Sequence, residues 1–180
     1  EHLSDIDHLT GLLNRQSFFK ELTEKLIDAD TERVWLAIKA DDFEDLNKQH
    51  GHLIGDQIFS KFGRILQIKV KQDDSASSLF DKENSVAYRC GIASRIGENE
   101  FAVLLSNCTM LQAKFYAERL MKDFEGIKIK KEDRSSVNAS ISIGITSIKP
   151  GEKIHDAWLN ASNIQKTARS KGKNQLATSP

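Results

Sequence analysis

The apolar positions divide the chain into stretches of helical and of strand period. Between Gln16 and Ile27, Phe18, Leu22 and Leu26 recur every four residues behind Asn14, a residue suited to capping, and predict a first helix. The run Val34–Ile38, Val-Trp-Leu-Ala-Ile, is too short for a helix and reads as a central strand covered on both faces. A polar stretch from Asp41 to Asn47 predicts a short helix ending at His50-Gly51-His52. Beyond that glycine, Ile54, Ile58, Phe62, Ile65 and Leu66 form the stripe of a longer helix reaching about Val70.

Residues 72–85 are polar and aperiodic, which predicts a mobile surface loop. Strands are expected at Ser85–Ile92 and Phe101–Leu105, joined by a turn at Gly97-Glu98-Asn99 into a hairpin. Ala113, Ala117, Leu120 and Phe124 mark a third helix, and Ile127–Ile129 and Ala139–Ile145 read as two further strands. In the second of these, Ile141, Ile143 and Ile145 alternate with Ser142, Gly144 and Thr146, so one face is expected to be wet or ligand-facing. Ala157, Ala161, Ile164 and Ala168 mark the last helix. No internal repeat occurs. The expected class is α+β, an α/β sandwich with helices over a central, mostly antiparallel sheet.

Composition narrows the function. One domain is the default for 180 residues, a length that buries a self-sufficient core without disulfide or metal staples. Twenty-six basic and 26 acidic side chains leave no net charge, which argues against a general nucleic-acid binder. Cys90 and Cys108 lack the paired spacing of zinc or redox motifs and read as reduced thiols; the alternation of Cys90 with Val86, Tyr88 and Ile92 places it in the core. No apolar run approaches the ~18 residues of a membrane span and no leader is present, so the expectation is a soluble cytoplasmic domain without membrane contact of its own, with room for an anchor elsewhere in the protein. The chain starts at Glu1 and ends Leu-Ala-Thr-Ser-Pro, which suggests a module of a longer protein. Residues 1–15 would be its lead-in and 175–180 the start of a linker.

Four segments, in order, carry a resemblance. Asp7-His8-Leu9-Thr10-Gly11-Leu12-Leu13-Asn14-Arg15 opens it. Phe43-Glu44-Asp45-Leu46-Asn47 through Gly51-His52 to Gly55-Asp56 continues it, followed by Arg95-Ile96-Gly97-Glu98-Asn99-Glu100-Phe101 and by Ala168-Arg169 with Gly172-Lys173-Asn174. Together they resemble the GGDEF domain over nearly the whole length, far more specifically than any single short pattern. The resemblance implies a nucleotide cyclase-like palm with a signature β-hairpin. It also implies the diguanylate cyclase reaction, in which a dimer joins two GTP molecules into cyclic di-GMP. There a 3'-hydroxyl attacks an α-phosphorus while divalent metals gather the phosphate oxygens. The family's two metal-ligand acids lie at the end of the first strand and at the third letter of the signature.

Here both acids are missing. Lys39 fills the first position, eight before Asn47, and Asn99 the second; Glu98 replaces the second signature glycine. The local charge changes from about −2 to +1, and an ammonium repels a divalent cation by several kcal/mol at ~4 Å and intermediate dielectric. Loss of magnesium binding is expected, with no cofactor required. Glu98 is one residue off, on the face that strand alternation turns away. The resemblance assigns guanine reading to Asn47 and Asp56, and phosphate contacts to Arg169 and Lys173. The plain alternative is that Asn47 and Asp56 cap the helices around Gly51 and that the basic tail is a solvated helix face. Lys39 is open to two readings: its ammonium stands in for the metal on phosphate oxygens, or it forms a salt bridge with Asp41 or Glu100.

The window where the family's product-inhibition motif belongs reads Tyr88-Arg89-Cys90-Gly91, with Arg89 one place off register. Cyclic di-GMP feedback is therefore not expected. His50 and His52 lack a third ligand and read as structural. The expected function is a degenerate, catalytically inactive GGDEF domain. It would serve as a regulatory, GTP-binding or interaction module in bacterial cyclic di-GMP signalling, beside an EAL or sensor domain or as a homodimer. The alternatives are an active cyclase using Asp41, Glu98 or Glu100 as substitute ligands, and a dimerisation module with an empty pocket.

Overall fold

β2 (Arg33–Ala40) organises the molecule. In the computed structural model, which describes residues 4–25, 32–71 and 90–180, its residues Val34–Ile38 are all buried. It pairs antiparallel with β4 (Glu100–Ser106) on one side and β7 (Ile141–Ile148) on the other. β3 (Cys90–Arg95) forms the expected hairpin with β4. Two short parallel pairings close the edges, β1 (Leu13–Asn14) on β3 and β8 (Leu176–Thr178) on β7. The six-stranded sheet has the order β1-β3-β4-β2-β7-β8. β8 lies within the stretch read as the start of a linker.

α1 (Arg15–Lys25) begins at Asn14, whose Oδ1 accepts from the Ser17 amide at 2.9 Å, as the capping preference predicts. α2 (Phe43–His50) and α3 (His52–Lys71) meet at Gly51, where φ is +86°. α4 (Met110–Glu125) starts with a reciprocal capping box between Thr109 and Gln112. α5 (Ile154–Ser170) follows β7.

The side chains of β2 alternate between two cores. Val34, Leu36 and Ile38 join Phe59, Phe62, Phe101 and Phe124 beneath α3 and α4, while Trp35 and Ala37 join Phe18, Leu22, Ala157 and Ala161 beneath α1 and α5. Edge-to-face ring pairs fix the first core, with centroids of Phe62 5.0 Å from Phe101 and 4.8 Å from Phe124.

Three expectations change. The strand expected at Ser85–Ile92 continues to Arg95; its part before Cys90 falls in residues 72–89, which lie outside the described residues, as do Leu26 and Ile27. The segment near Ile127 contributes β5 (Ile129–Lys130), which pairs with β6 (Ser136–Val137) in a separate two-stranded ribbon. The polar face of β7 is not wet: Ser142 is 0% and Thr146 5% exposed. α5 covers it, so closely that a Cβ on Gly144 would stand 2.2 Å from the Gln165 amide nitrogen. The alternation marks a close helix contact, which small and hydroxyl side chains permit.

Candidate functional site

A cleft of about 540 Å³ opens where β2 ends, between the β3–β4 turn and α5. Strand alternation sets which residues reach it. Ile38 and Ala40 face the aromatic core, so Lys39 falls on the α5 side, where it is exposed and shares the cleft wall with Asn99, Lys166 and Arg169. The Ala40 amide donates to the Asn99 carbonyl at 3.2 Å, tying the strand end to the turn. Lys39 and Asn99, far apart in sequence, are thus held side by side.

The turn itself is held by Arg95. Its guanidinium donates to the Glu98 carbonyl at 2.6 Å and 3.2 Å, reaches Asp7 Oδ1 at 3.4 Å, and lies 5.4 Å above the Phe59 ring. Asp7 in turn accepts from the amide and hydroxyl of Thr10. Arg95 thereby joins the opening segment to the hairpin, a role the sequence reading gave no residue. Glu98 is exposed and outside the cleft lining; it lies in the turn between β3 and β4, where strand alternation does not set its direction.

Asp41 and Asp42 form the partition behind this cleft and line a second one, of about 530 Å³, on its far side. Asp41, 5% exposed, accepts from Ser140 Oγ at 2.6 Å, Ser142 Oγ at 2.8 Å and the Asn174 amide at 2.8 Å, with Arg169 Nε at 3.4 Å. These donors occupy both oxygens. The salt bridge expected between Lys39 and Asp41 is absent, because Asp41 is already committed to β7, the chain after α5, and Arg169. Lys39 forms no ion pair with any described residue. Glu100 lies opposite it across the β2–β4 ladder. Its Oε2 instead turns toward Gly97, 3.4 Å from where a Cβ would stand on that residue.

Asp42 begins α2 with a left-handed φ of +50° and makes no side-chain cap. Its carboxylate instead bonds Lys173 Nζ and Arg169, each at 2.5 Å. Those hydrogen bonds, Lys173 first, hold its carboxyl below the ordinary carboxylate range. The two basic residues expected to contact phosphates are therefore brought together on one anion, Arg169 lining the first cleft and Lys173 the second.

Asn47 lies in the last turn of α2 with its Oδ1 buried and without a hydrogen-bond partner; Asp56 is exposed on α3. Neither caps a helix, because Asn47 sits within α2, Asp56 is the fifth residue of α3, and Asp42 precedes α2. Their corner depends on Gly55, where a Cβ would stand 2.6 Å from Asn47 Oδ1. Phe43, stacked 4.6 Å from Phe59, anchors the start of α2 beneath the hairpin. His50 has a buried, unpartnered Nδ1 and His52 is exposed; among the described residues no cluster of histidine, cysteine or acidic side chains suits a metal. Tyr88 and Arg89 lie outside the described residues.

Magnesium, which the resemblance implies, takes oxygen ligands, usually carboxylates. At the two positions where the family's acids are expected the cleft offers it an ammonium, Lys39, and a neutral amide, Asn99; Asp41 and Asp42 are already saturated or paired, and Glu44 and Asp45, the other carboxylates of the lining, sit on the first turn of α2. These residues do not fit the ion.

Comparison with known proteins agrees with the layout. The profile of the family described as diguanylate cyclase, GGDEF domain, matches residues 4–84 and 83–175. Biofilm architecture maintenance protein MbaA of Vibrio cholerae is 31% identical over 179 residues, 97% of this chain and 21% of its own length. The probable diguanylate cyclase DgcT of Escherichia coli is 24% identical over 98% of this chain and 36% of its own. The chain thus spans well under half the length of these curated relatives. The crystal structure of the GGDEF domain of DgcB from Caulobacter crescentus, in complex with c-di-GMP, superposes with a TM-score of 0.81 at 21% identity, covering 99% of this chain and 97% of that one. The GGDEF domain of FimX from Pseudomonas aeruginosa does so at 0.78 and 21%, over 98% and 100%. Both share the mixed fold of a central sheet flanked by helices. From its opening segment to its closing basic motif, the chain belongs to the GGDEF family of diguanylate cyclase domains.

Proposed function

We propose that this GGDEF domain does not synthesise cyclic di-GMP and serves as a GTP-binding regulatory module. It would be one domain, about residues 1–180, of a longer cytoplasmic or membrane-anchored signalling protein, with an EAL or sensor domain as neighbour and a homodimer as a possible assembly. The observation that carries the reading is the cleft wall itself. Lys39 and Asn99 stand side by side where the family's two metal-ligand acids are expected, and Asp41, which lines the same cleft, is filled by four donors. An active cyclase using Asp41 would have to strip a buried carboxylate of those partners, and Glu98 lies outside the cleft.

Nucleotide binding is supported by what remains. The start of α2 lines the same cleft, where its backbone amides favour an anion and the Glu44 and Asp45 carboxylates of its first turn oppose one. Arg169 and Lys39 add cationic donors. The Asn47 carbonyl is unsatisfied but buried and outside the lining of both clefts, so guanine reading by Asn47 rests on the family resemblance.

The test is incubation of the protein with GTP and magnesium. No cyclic di-GMP should form, while GTP at 100 times its dissociation constant should raise stability by about 2.7 kcal/mol. Product formation would overturn the inactive reading. An unchanged melting temperature at millimolar GTP would overturn the binding reading and leave an interaction module with an empty cleft.

A further inference from the structure

Among the described residues Lys39 has no ion-pair partner, and its position is chosen by strand geometry. It ends the buried strand β2 on the α5 side, is exposed, and lines the cleft beside Asn99, Arg169 and the first turn of α2. An ammonium so placed normally seeks a carboxylate, yet among the described residues it forms an ion pair with none, including Glu44 and Asp45, which line the same cleft. Asp41 takes four donors, Asp42 takes Lys173 and Arg169, and the Glu100 carboxylate turns to Gly97. Lys39 thus lines the cleft with no bonded partner among the described residues, with Glu44 and Asp45 of the α2 first turn as the carboxylates of the same wall that a bound phosphate would have to compete with.

We propose that the Lys39 ammonium takes the place of the divalent ion, so that this cleft binds the polyphosphate of a nucleoside triphosphate free of metal. The inference rests on the nucleotide-binding reading above and deepens it. An ammonium is a compact point charge with three donors and needs no ordered oxygen cage, so it serves phosphate oxygens where the acids that would hold magnesium are gone. Two consequences distinguish it from simple loss of a site. Chelating the metal should not weaken binding, because no residue here holds it. Magnesium should weaken binding, because it neutralises the phosphate charge that Lys39 and Arg169 would attract and adds a cation that Lys39 repels.

Asp42 supplies the counterweight. Its carboxylate on Arg169 and Lys173 occupies donors that a phosphate would use, so binding exchanges one anion for another.

Titration calorimetry with GTP, in EDTA and in millimolar magnesium, tests this on the wild-type chain, Lys39→Gln and Lys39→Asp. The expected result is higher affinity in EDTA than in magnesium. Lys39→Gln should lose at least about tenfold in EDTA, the loss of one charge-assisted contact, and Lys39→Asp should bind only with magnesium. Lys39 is exposed, so both variants should keep their circular dichroism. Wild-type binding that requires magnesium, or that survives Lys39→Gln unchanged in EDTA, would overturn the inference and leave the nucleotide-binding reading standing. No heat or competition with any variant in either buffer would overturn both.

Discussion

Asp41→Asn is nearly isosteric, yet it should be among the most damaging single changes at this site. The carboxylate is 5% exposed and accepts from Ser140, Ser142 and the Asn174 amide at 2.6–2.8 Å, with Arg169 Nε at 3.4 Å. An asparagine keeps one acceptor oxygen. If that oxygen faces Ser140 and the Asn174 amide, the new NH2 confronts Arg169. If it faces Ser142 and Arg169, the NH2 confronts the Asn174 amide. A hydroxyl can turn to accept, but an amide N–H or a guanidinium cannot. Removing the charge relieves the cost of burying it, so replacing the whole set with apolar groups could be neutral; removing one partner leaves stranded donors, and that term wins.

Hydrogen bonds to charged groups contribute about 1.5–3 kcal/mol each. The Arg169 contact is discounted because its side chain is 38% exposed. A loss of roughly 3 kcal/mol follows, equivalent to about 6–12 °C in Tm for a domain of this size. Urea denaturation followed by circular dichroism measures it. A loss under about 1 kcal/mol with an unchanged m-value would refute the assignment of Asp41 as a buried structural anchor, and would return it to the pool of possible metal ligands.

Gly144→Ala should destabilise the fold by about 1–3 kcal/mol or more, since its Cβ would stand 2.2 Å from the Gln165 amide nitrogen and 2.7 Å from the Ala161 carbonyl; unchanged urea stability would refute the close contact of α5 with β7. The Asp42 carboxyl should titrate below ~3.9 by NMR. Because its folded pKa is depressed, the cluster with Lys173 and Arg169 contributes stability above that value and loses it as pH falls through the folded pKa; a midpoint at or above ~3.9 would refute the pairing. Asp42→Asn should tighten GTP binding by freeing both cations, and weaker calorimetric binding would count against competition. The Cys108 thiol, raised to about 11 by burial and then by the charge of Glu32, should resist alkylation at pH 8 until urea is added; rapid native labelling in peptide mass spectra would refute its burial.

The elements that periodicity announces strongly are those the structure contains. β2 shows as an unbroken apolar run because helices cover both of its faces, and α3 shows as a four-residue stripe because only one of its faces is buried. β7 misleads because the same alternation of isoleucine with Ser142, Gly144 and Thr146 serves a solvent face or a tightly seated helix equally well. The choice depends on α5, which is distant in sequence. The departures at Lys39, Glu98 and Asn99 are visible by spacing alone. Their consequences are not, since the partner that Asp41 chooses comes from Ser140, Ser142, Asn174 and Arg169, all about 100 or more residues away. The role of Arg95 was hidden within a matching motif. Only the guanidinium's reach to Asp7 and the Glu98 carbonyl reveals it.

The central claim is that a lysine and an asparagine have ended metal binding in this cleft. Crystals grown with a non-hydrolysable GTP analogue and manganese, measured at the manganese absorption edge, address it without relying on turnover. The account predicts nucleotide density with Lys39 Nζ within hydrogen-bonding distance of phosphate oxygens and no anomalous peak beside it. One or two strong peaks bridging the phosphates and the protein near residues 39 and 99 would contradict it.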